Sequence, residues 1–180
     1  WSGRKTWILC KAERSGMETW ATIADFPEYA VSTEGQIRNN STGRIMKTSS
    51  NQYDVLMVGL MRDGVQHKRS VPLLVLNAFT EKPNENFDTP INLNGHRTDN
   101  RLDNLVWRPR WYAVLYNRQF AEPYEHPIVT PIRDPKSGMI FPNSFSVATH
   151  YGLLEKDIVL SILNRTVVWI TYQRFELAED

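Results

Sequence analysis

The sequence predicts an α+β protein that starts with a small β-rich module and ends in two short helices. Three observations predict this fold class. Residues 17–70 alternate between short strands and turns, residues 91–116 form a turn-rich loop followed by a helical run, and residues 144–163 repeat apolar side chains at helical spacing.

The β-rich part contains two predicted hairpins. Tyr29 to Ser32 and Gln36 to Arg38 flank a Thr-Glu-Gly turn, and residues 52–60 and 66–71 flank the dipeptide Asp63-Gly64. An Asp-Gly pair between alternating runs is a strong hairpin signal, because both residues tolerate positive φ. Residues 73–79 then predict a buried helix.

The remaining elements follow from turn and cap residues. Amides and carboxylates at positions 92–104 predict a loop, and the run from Trp111 to Phe120 predicts a helix beneath it. Residues 138–141 predict a strand, Ser144 is expected to cap the first of two helices, and Gly152 forms the turn between them. The alternating side-chain pattern from Val167 to Phe175 predicts a final strand.

Composition excludes several classes of protein. The 180 residues are 41% hydrophobic and contain no apolar run of 18, so a membrane-spanning helix is not expected. Residues 1–16 do not have the pattern of a secretory signal. The single cysteine, Cys10, excludes an internal disulfide and a cysteine-based zinc cluster, which suits a reducing cytoplasm.

Net charge gives little support to a nucleic-acid partner. The chain carries a formal charge of +1, and its basic excess is confined to residues 1–16, with four basic side chains and one acidic one. Phosphate neutralisation supplies most nonspecific affinity for DNA. Any DNA binding must therefore rest on local groups of basic residues.

The sequence contains three spaced motifs. They are Trp20-x-x-Ile23-x-x-Phe26-x-x-Tyr29-x-Val31-Ser32-x-x-Gly35-x-Ile37-Arg38, Val71-Pro72-Leu73-Leu74-Val75-x-x-Ala78-Phe79, and the run from Asn94 to Trp107. The first motif resembles the N-terminal nuclease-associated modular domain of phage-type HNH homing endonucleases, and the second and third resemble the HNH core of these enzymes. The segment from Phe141 to Phe175 resembles their C-terminal helix-turn-helix module.

The resemblance implies a division of the chain into four parts. Residues 1–16 are expected to be an N-terminal extension, residues 17–70 a β-rich DNA-binding module, and residues 71–122 an HNH-like ββα core. Residues 123–180 form a linker plus the helix-turn-helix module.

The residues that carry the family's cutting chemistry are substituted. The resemblance implies an acidic metal ligand and a general-base histidine at the positions of Ile91 and Asn92, and a further ligand at Ala113. An isoleucine cannot ligate a hard cation through oxygen, and an amide is not a useful base. Pro72 replaces another histidine. Asn104 matches the family's asparagine, whose implied role is to staple the loop backbone.

Other groups of the same loop are weak candidates to rescue catalysis. His96 and Asp99 are nearest in sequence, but a displacement of about 1 Å can reduce a rate on the order of a hundredfold. No catalytic or metal-binding residue is therefore assigned, and no cofactor is expected unless the chain is a nuclease using Mg²⁺ or Mn²⁺.

The candidate DNA contacts are basic or polar side chains on the predicted hairpins, loop and helices. They are Arg38, Lys47, Lys68, Arg69, Arg97, Arg101, Ser144 and Lys156. In the predicted recognition helix, Glu155 and Asp157 flank Lys156, and exposed carboxylates there would oppose phosphate.

Three functions are compatible with the sequence. The leading one is a double-stranded DNA-binding protein that has lost efficient cleavage. The others are a divergent metal-dependent nicking endonuclease and a phage-encoded protein-binding subunit or inhibitor. The aromatic residues Trp107, Trp111, Tyr112 and Tyr116 favour this last alternative modestly. The expected setting is the cytoplasm of a phage-infected bacterium.

Overall fold

A computed structural model describes residues 17–178 of the chain, so the predicted N-terminal extension and Cys10 lie outside the described residues. The α+β prediction is confirmed. The strands are β1 (Trp20–Ile23), β2 (Phe26–Ser32), β3 (Ile37–Asn39), β4 (Thr48–Ser50), β5 (Leu56–Arg62), β6 (Val65–Ser70), β7 (Thr89–Asn92), β8 (Leu105–Arg108), β9 (Ile132–Arg133), β10 (Ile140–Phe141) and β11 (Glu176–Leu177). The helices are α1 (Val71–Phe79), α2 (Arg110–Arg118), α3 (Ser144–Tyr151) and α4 (Glu155–Asn164).

The N-terminal part consists of two three-stranded antiparallel sheets, β1-β2-β3 and β4-β5-β6. The Asp-Gly hairpin lies where the sequence predicts it. Arg62 pairs with Val65, and the two turn residues between them, Asp63 and Gly64, have φ values of 53° and 76°. This left-handed geometry matches the twist of the strands on either side.

Helix α1 closes the larger hydrophobic core. Pro72 lies in its first turn, where the missing N–H costs no intrahelical hydrogen bond. Val71, Val75 and Leu76 are fully buried against the inner faces of β2 and β5 and against Trp107 of β8. The buried face of α1 therefore joins the β-rich part to the middle of the chain.

The middle of the chain is a ββα unit. Strands β7 and β8 form an antiparallel hairpin whose long loop spans residues 93–104, and α2 packs against β7. The predicted helix from Trp111 to Phe120 is observed as α2, which starts one residue earlier, directly after Pro109.

The C-terminal part contains the sheet β10-β9-β11 and two helices joined by a three-residue turn. Gly152 ends α3 with a φ of 66°, and a Cβ at this position would lie only 2.9 Å from the Leu93 side chain and 3.0 Å from Val106. Both the backbone geometry and the close approach to the core hairpin therefore require glycine.

Two sequence predictions about the C-terminal part are wrong. Ser144 does not cap α3, because the Asn143 side chain accepts the Ser146 N–H at 2.8 Å and Ser144 is turned into the core. Residues 167–175 do not form one strand either. Val168 bridges to Gln173 and Tyr172 has a φ of 52°, so the chain reverses within the segment. The side-chain pattern that predicted a strand at these positions therefore belongs to a reversal of the chain.

Side chains of the ββα unit hold the turn between α3 and α4 in place. Arg108 is buried, and its guanidinium donates to the Gly152 carbonyl at 2.9 Å, to the Tyr151 carbonyl at 2.6 Å and to its neighbour Trp107 at 2.7 Å. The Tyr112 hydroxyl accepts the Leu154 N–H at 2.8 Å, and the Gln119 amide bonds to Leu153 and Glu155.

We expect Arg108→Leu to lower the free energy of unfolding by roughly 3 kcal/mol, because it leaves the carbonyls at the end of α3 without their charged donor. Urea denaturation measures this loss. Arg110→Leu is the matched control, since Arg110 is exposed and should change stability by less than about 0.5 kcal/mol. Equal losses in the two variants would contradict the role given to Arg108.

Candidate functional site

The loop between β7 and β8 is held by its own polar side chains. The Asn104 side chain accepts the Asn94 N–H at 3.0 Å and donates to Asn94 Oδ1 at 2.9 Å and to the Asp99 carbonyl at 2.8 Å. Asn92 also donates to the Asp99 carbonyl, at 2.7 Å, and to Asn100 Oδ1. Both amides therefore fix the loop backbone.

The positions where the resemblance implies metal ligands lie in a hydrophobic cluster. Ile91 and Ala113 are 1% and 3% exposed and pack together with Tyr112 and Tyr116. The Tyr116 hydroxyl donates to the Leu93 carbonyl at 2.7 Å. Burial raises the pKa of both tyrosines, so their hydroxyls stay protonated near neutral pH.

The donor set at this site does not fit a divalent cation. Mg²⁺ and Mn²⁺ are bound through carboxylate, carbonyl or water oxygens, whereas Ile91 and Ala113 offer hydrocarbon. Asn92 offers only a neutral amide, whose nitrogen donates to Asp99 and Asn100. Residues 17–178 contain no group of three or more histidine, cysteine, aspartate or glutamate side chains placed to hold a metal ion.

The two rescue candidates do not form a metal site with each other. The Asp99 carboxylate accepts hydrogen bonds from Arg101 at 3.0 and 3.2 Å and from Asn94 at 2.8 Å. The bond from Arg101 holds the pKa of Asp99 below its usual value, although partial burial opposes the shift. His96 is exposed, and its backbone N–H is bound by Asn94.

The structure places seven of the eight predicted DNA contacts at the surface or at its edge. Lys47, Lys68, Arg101 and Lys156 are exposed, and Arg38, Arg69 and Arg97 are half-buried.

The half-buried arginines are already fixed by the fold. The Arg38 guanidinium lies 4.3 Å from the centre of the Trp20 ring, and Arg97 donates to the Tyr53 carbonyl at 2.9 Å. Arg101 differs from the others, because its charge is shared with Asp99 and, at 3.8 Å, with Asp103. It is therefore the basic residue least available to phosphate.

Ser144 is corrected as a DNA contact. Its side chain is fully buried, and its hydroxyl donates to Glu155 Oε1 at 2.7 Å and accepts the Ile128 N–H at 2.9 Å. The same bond turns Glu155 inward, so the expectation of an exposed carboxylate at that position is also wrong. Lys156 stays exposed in the first turn of α4, and burial raises the pKa of the half-buried Asp157.

The structure brings together side chains whose grouping the sequence analysis did not predict. Arg62 and Arg69 lie 5.2 and 5.0 Å from the centre of the buried Phe26 ring, and His67 packs on the same ring at 5.6 Å. A signal was available, because Val65, His67 and Arg69 alternate along β6 and must share one face. Arg108, Gln119 and Trp169 gave no such signal, since their partners are distant in sequence.

The comparisons with known proteins agree with this architecture. Residues 18–60 match the family described as the NUMOD4 motif. The uncharacterized HNH endonuclease L247 of Acanthamoeba polyphaga mimivirus is 28% identical over 91 residues, which make up 51% of this chain and 23% of that protein. The resemblance to HNH homing endonucleases is confirmed.

A solved structure extends the likeness along the chain. It is described as DNA binding and cleavage by the HNH homing endonuclease I-HmuI, and it matches with a TM-score of 0.51 over 90% of this chain and 99% of that one. Sequence identity is 18%, so the match concerns the HNH homing endonuclease fold alone. The chain aligns with less than a quarter of the mimivirus HNH protein.

Within residues 17–178, no helix has the length and apolar character required to cross a membrane.

We expect the loop of the HNH-like core to lose stability in acid. Folding lowers the pKa of Asp99. The stability that its ionised carboxylate adds to the folded state is therefore fully present above pH 3.8, the value of an unperturbed aspartate, and is lost as the pH falls further. Urea denaturation at several pH values should show that Asp99→Asn lowers the free energy of unfolding less at low pH than at neutral pH. Glu122→Gln, at an exposed site outside the loop, is the control. A cost for Asp99→Asn that does not change with pH would contradict this account.

Proposed function

We propose that this chain is a double-stranded DNA-binding protein of the HNH homing endonuclease type that has lost efficient phosphodiester cleavage. The observation that carries the proposal is the packing of Ile91 and Ala113 with two buried tyrosines at the positions of the implied metal ligands. Hydrolysis of a phosphodiester by this family's chemistry needs a metal-bound phosphate and a base behind the attacking water. The side chains at these positions provide neither.

DNA binding is the part of the ancestral function that the surface still supports. Lys47 and Lys68 are exposed on the β-rich part, and Lys156 is exposed in the first turn of α4. We propose that α3 and α4 act as a helix-turn-helix module, with α4 directed toward DNA. The inward orientation of Glu155 removes one carboxylate from that surface and so favours this use of the helix.

The alternatives have weaker support. A nicking endonuclease that uses Asp99 and His96 would have to release Asp99 from Arg101 and Asn94 before it could bind a metal. A phage-encoded protein-binding subunit or inhibitor would need a partner surface, and the exposed Trp111 is the side chain that favours it. The proposed setting is the cytoplasm of a phage-infected bacterium. The resemblance to phage-type HNH homing endonucleases supports the host, and the lone cysteine suits a reducing compartment.

We expect no nicking of supercoiled plasmid by the purified protein with Mg²⁺ or Mn²⁺, because Ile91 and Ala113 cannot ligate the metal and the Asn92 amide cannot deprotonate water. Agarose gels report open circles directly. Asp99→Ala and His96→Ala are the controls. Open circles that appear with the wild-type protein and disappear in either variant would establish the nicking alternative.

We expect affinity for duplex DNA to fall steeply with salt, with a slope of about −0.9 in log–log form for each phosphate contact. Lys68→Ala and Lys156→Ala should each reduce that slope by about one unit. Lys136→Ala, at an exposed site in the turn before β10, is the control and should leave the slope unchanged. Mobility shifts across a salt series measure these values, and absence of any shift at low salt would point to a protein partner.

A further inference from the structure

Two tryptophans from distant parts of the chain stack at the surface. Trp111 lies in the first turn of α2 and Trp169 in the segment after α4, and their ring centres are 5.5 Å apart with an interplanar angle of 28°. They are 56% and 51% exposed. The Tyr112 ring meets Trp111 edge-on at 5.5 Å, so the pair is supported from below by the buried cluster. The fold therefore presents a rigid indole surface to solvent.

This surface forms one wall of a cavity of about 480 Å³, here called the tryptophan pocket. The loop 84–88, here called the rim, also lines the pocket with Asn84, Glu85, Asn86, Phe87 and Asp88, and Pro109 and Arg110 complete the lining. The rim is held in shape, because Asn84 Oδ1 accepts the Asn86 N–H at 2.9 Å and Asp88 Oδ1 accepts the Thr89 hydroxyl at 2.7 Å.

We propose that the tryptophan pocket binds one unpaired nucleobase of DNA, with a preference for bases that carry an exocyclic amino group. It rests on the proposed function in one respect, because the DNA that the chain is proposed to bind supplies the base. The volume of the tryptophan pocket lies within the range of roughly 300–1,000 Å³ that small-ligand sites occupy. A base has the two features that the pocket matches, namely planar faces that stack on indole and edges that bond to amides and carboxylates.

The charges of the rim decide which part of a nucleotide enters. Glu85 and Asp88 repel a phosphate backbone, but their oxygens accept hydrogen bonds from the amino group of cytosine or adenine. Thymine offers no amino group to these acceptors. Arg110, at the side of the pocket, is placed to pair with the phosphate of the bound nucleotide. A paired base cannot enter, because its faces are covered by its neighbours in the stack.

The test compares a labelled duplex that contains a single bulged cytosine with the fully paired duplex of the same sequence, by fluorescence anisotropy. We expect the wild-type protein to bind the bulged duplex about tenfold more tightly, as one base–aromatic stack provides. Trp169→Ala should remove this preference and leave affinity for the paired duplex unchanged. Tyr53→Ala is the matched control, because Tyr53 is 62% exposed and lies outside the pocket.

The choice of base is tested with a bulged thymine in place of the cytosine. The wild-type protein should bind it several-fold more weakly, and the double variant Glu85→Ala, Asp88→Ala, which removes both acceptors, should bind both bulges alike. Equal binding of bulged and paired duplexes would overturn the proposal, as would a bulge preference that Trp169→Ala retains. The second result would mean that the flexibility of the bulge, and not stacking, causes the preference.

Two further results separate this inference from the proposed function. If neither duplex binds, the proposed function fails, and a single-stranded cytosine oligonucleotide then tests the pocket alone. Binding of that strand which Trp169→Ala abolishes supports the pocket, and no binding overturns it. If Trp169→Ala changes only the oligomeric state measured by light scattering, the tryptophans contact protein and the proposal is wrong.

Discussion

The relative placement of the core hairpin and the C-terminal helices depends on one buried cation. Arg108 ends β8 and reaches the last carbonyls of α3, which have no partner within the helix and carry the negative end of its dipole. Burial lowers the pKa of Arg108 to about 10, so the group is still charged at neutral pH. A guanidinium suits this position, because its fixed planar donors satisfy several carbonyls at once.

The same interface determines the surroundings of Ala113 on α2. Tyr112 and Tyr116 point to the inside of the ββα unit, and their hydroxyls bond to Leu154 and Leu93. Small apolar residues fit beside two such rings, and Ala113 and Ile91 fill that space. A metal and its water ligands would need the volume that these side chains occupy. In this chain, helix α2 is used for packing and docking, and Asn104 holds the backbone of the loop between β7 and β8.

The fold was more predictable than the site, and particular residues show why. The Asp63-Gly64 turn and the helix that contains Pro72 depend on neighbours within a few residues, so a local pattern is sufficient, whereas the ββα order was implied by the resemblance. The assignment of Ser144 failed because it depends on contacts with other segments of the chain, whereas residues 167–175 contain a local reversal that the side-chain pattern does not signal. The Ser144 hydroxyl is bound by Ile128 and Glu155, and the chain after α4 reverses where Val168 meets Gln173.

The sequence by itself determined the α+β class, the Asp63-Gly64 hairpin, the helices α1 and α2 and the likeness to HNH homing endonucleases. These properties follow from backbone preferences and from residue types, which can be read in chain order. Only the tertiary structure decided that Ile91 and Ala113 share one closed cluster, that Glu155 faces inward, and that Trp111 and Trp169 stack. Each of these results depends on two segments far apart in the chain, and only packing of the whole fold brings such segments into contact.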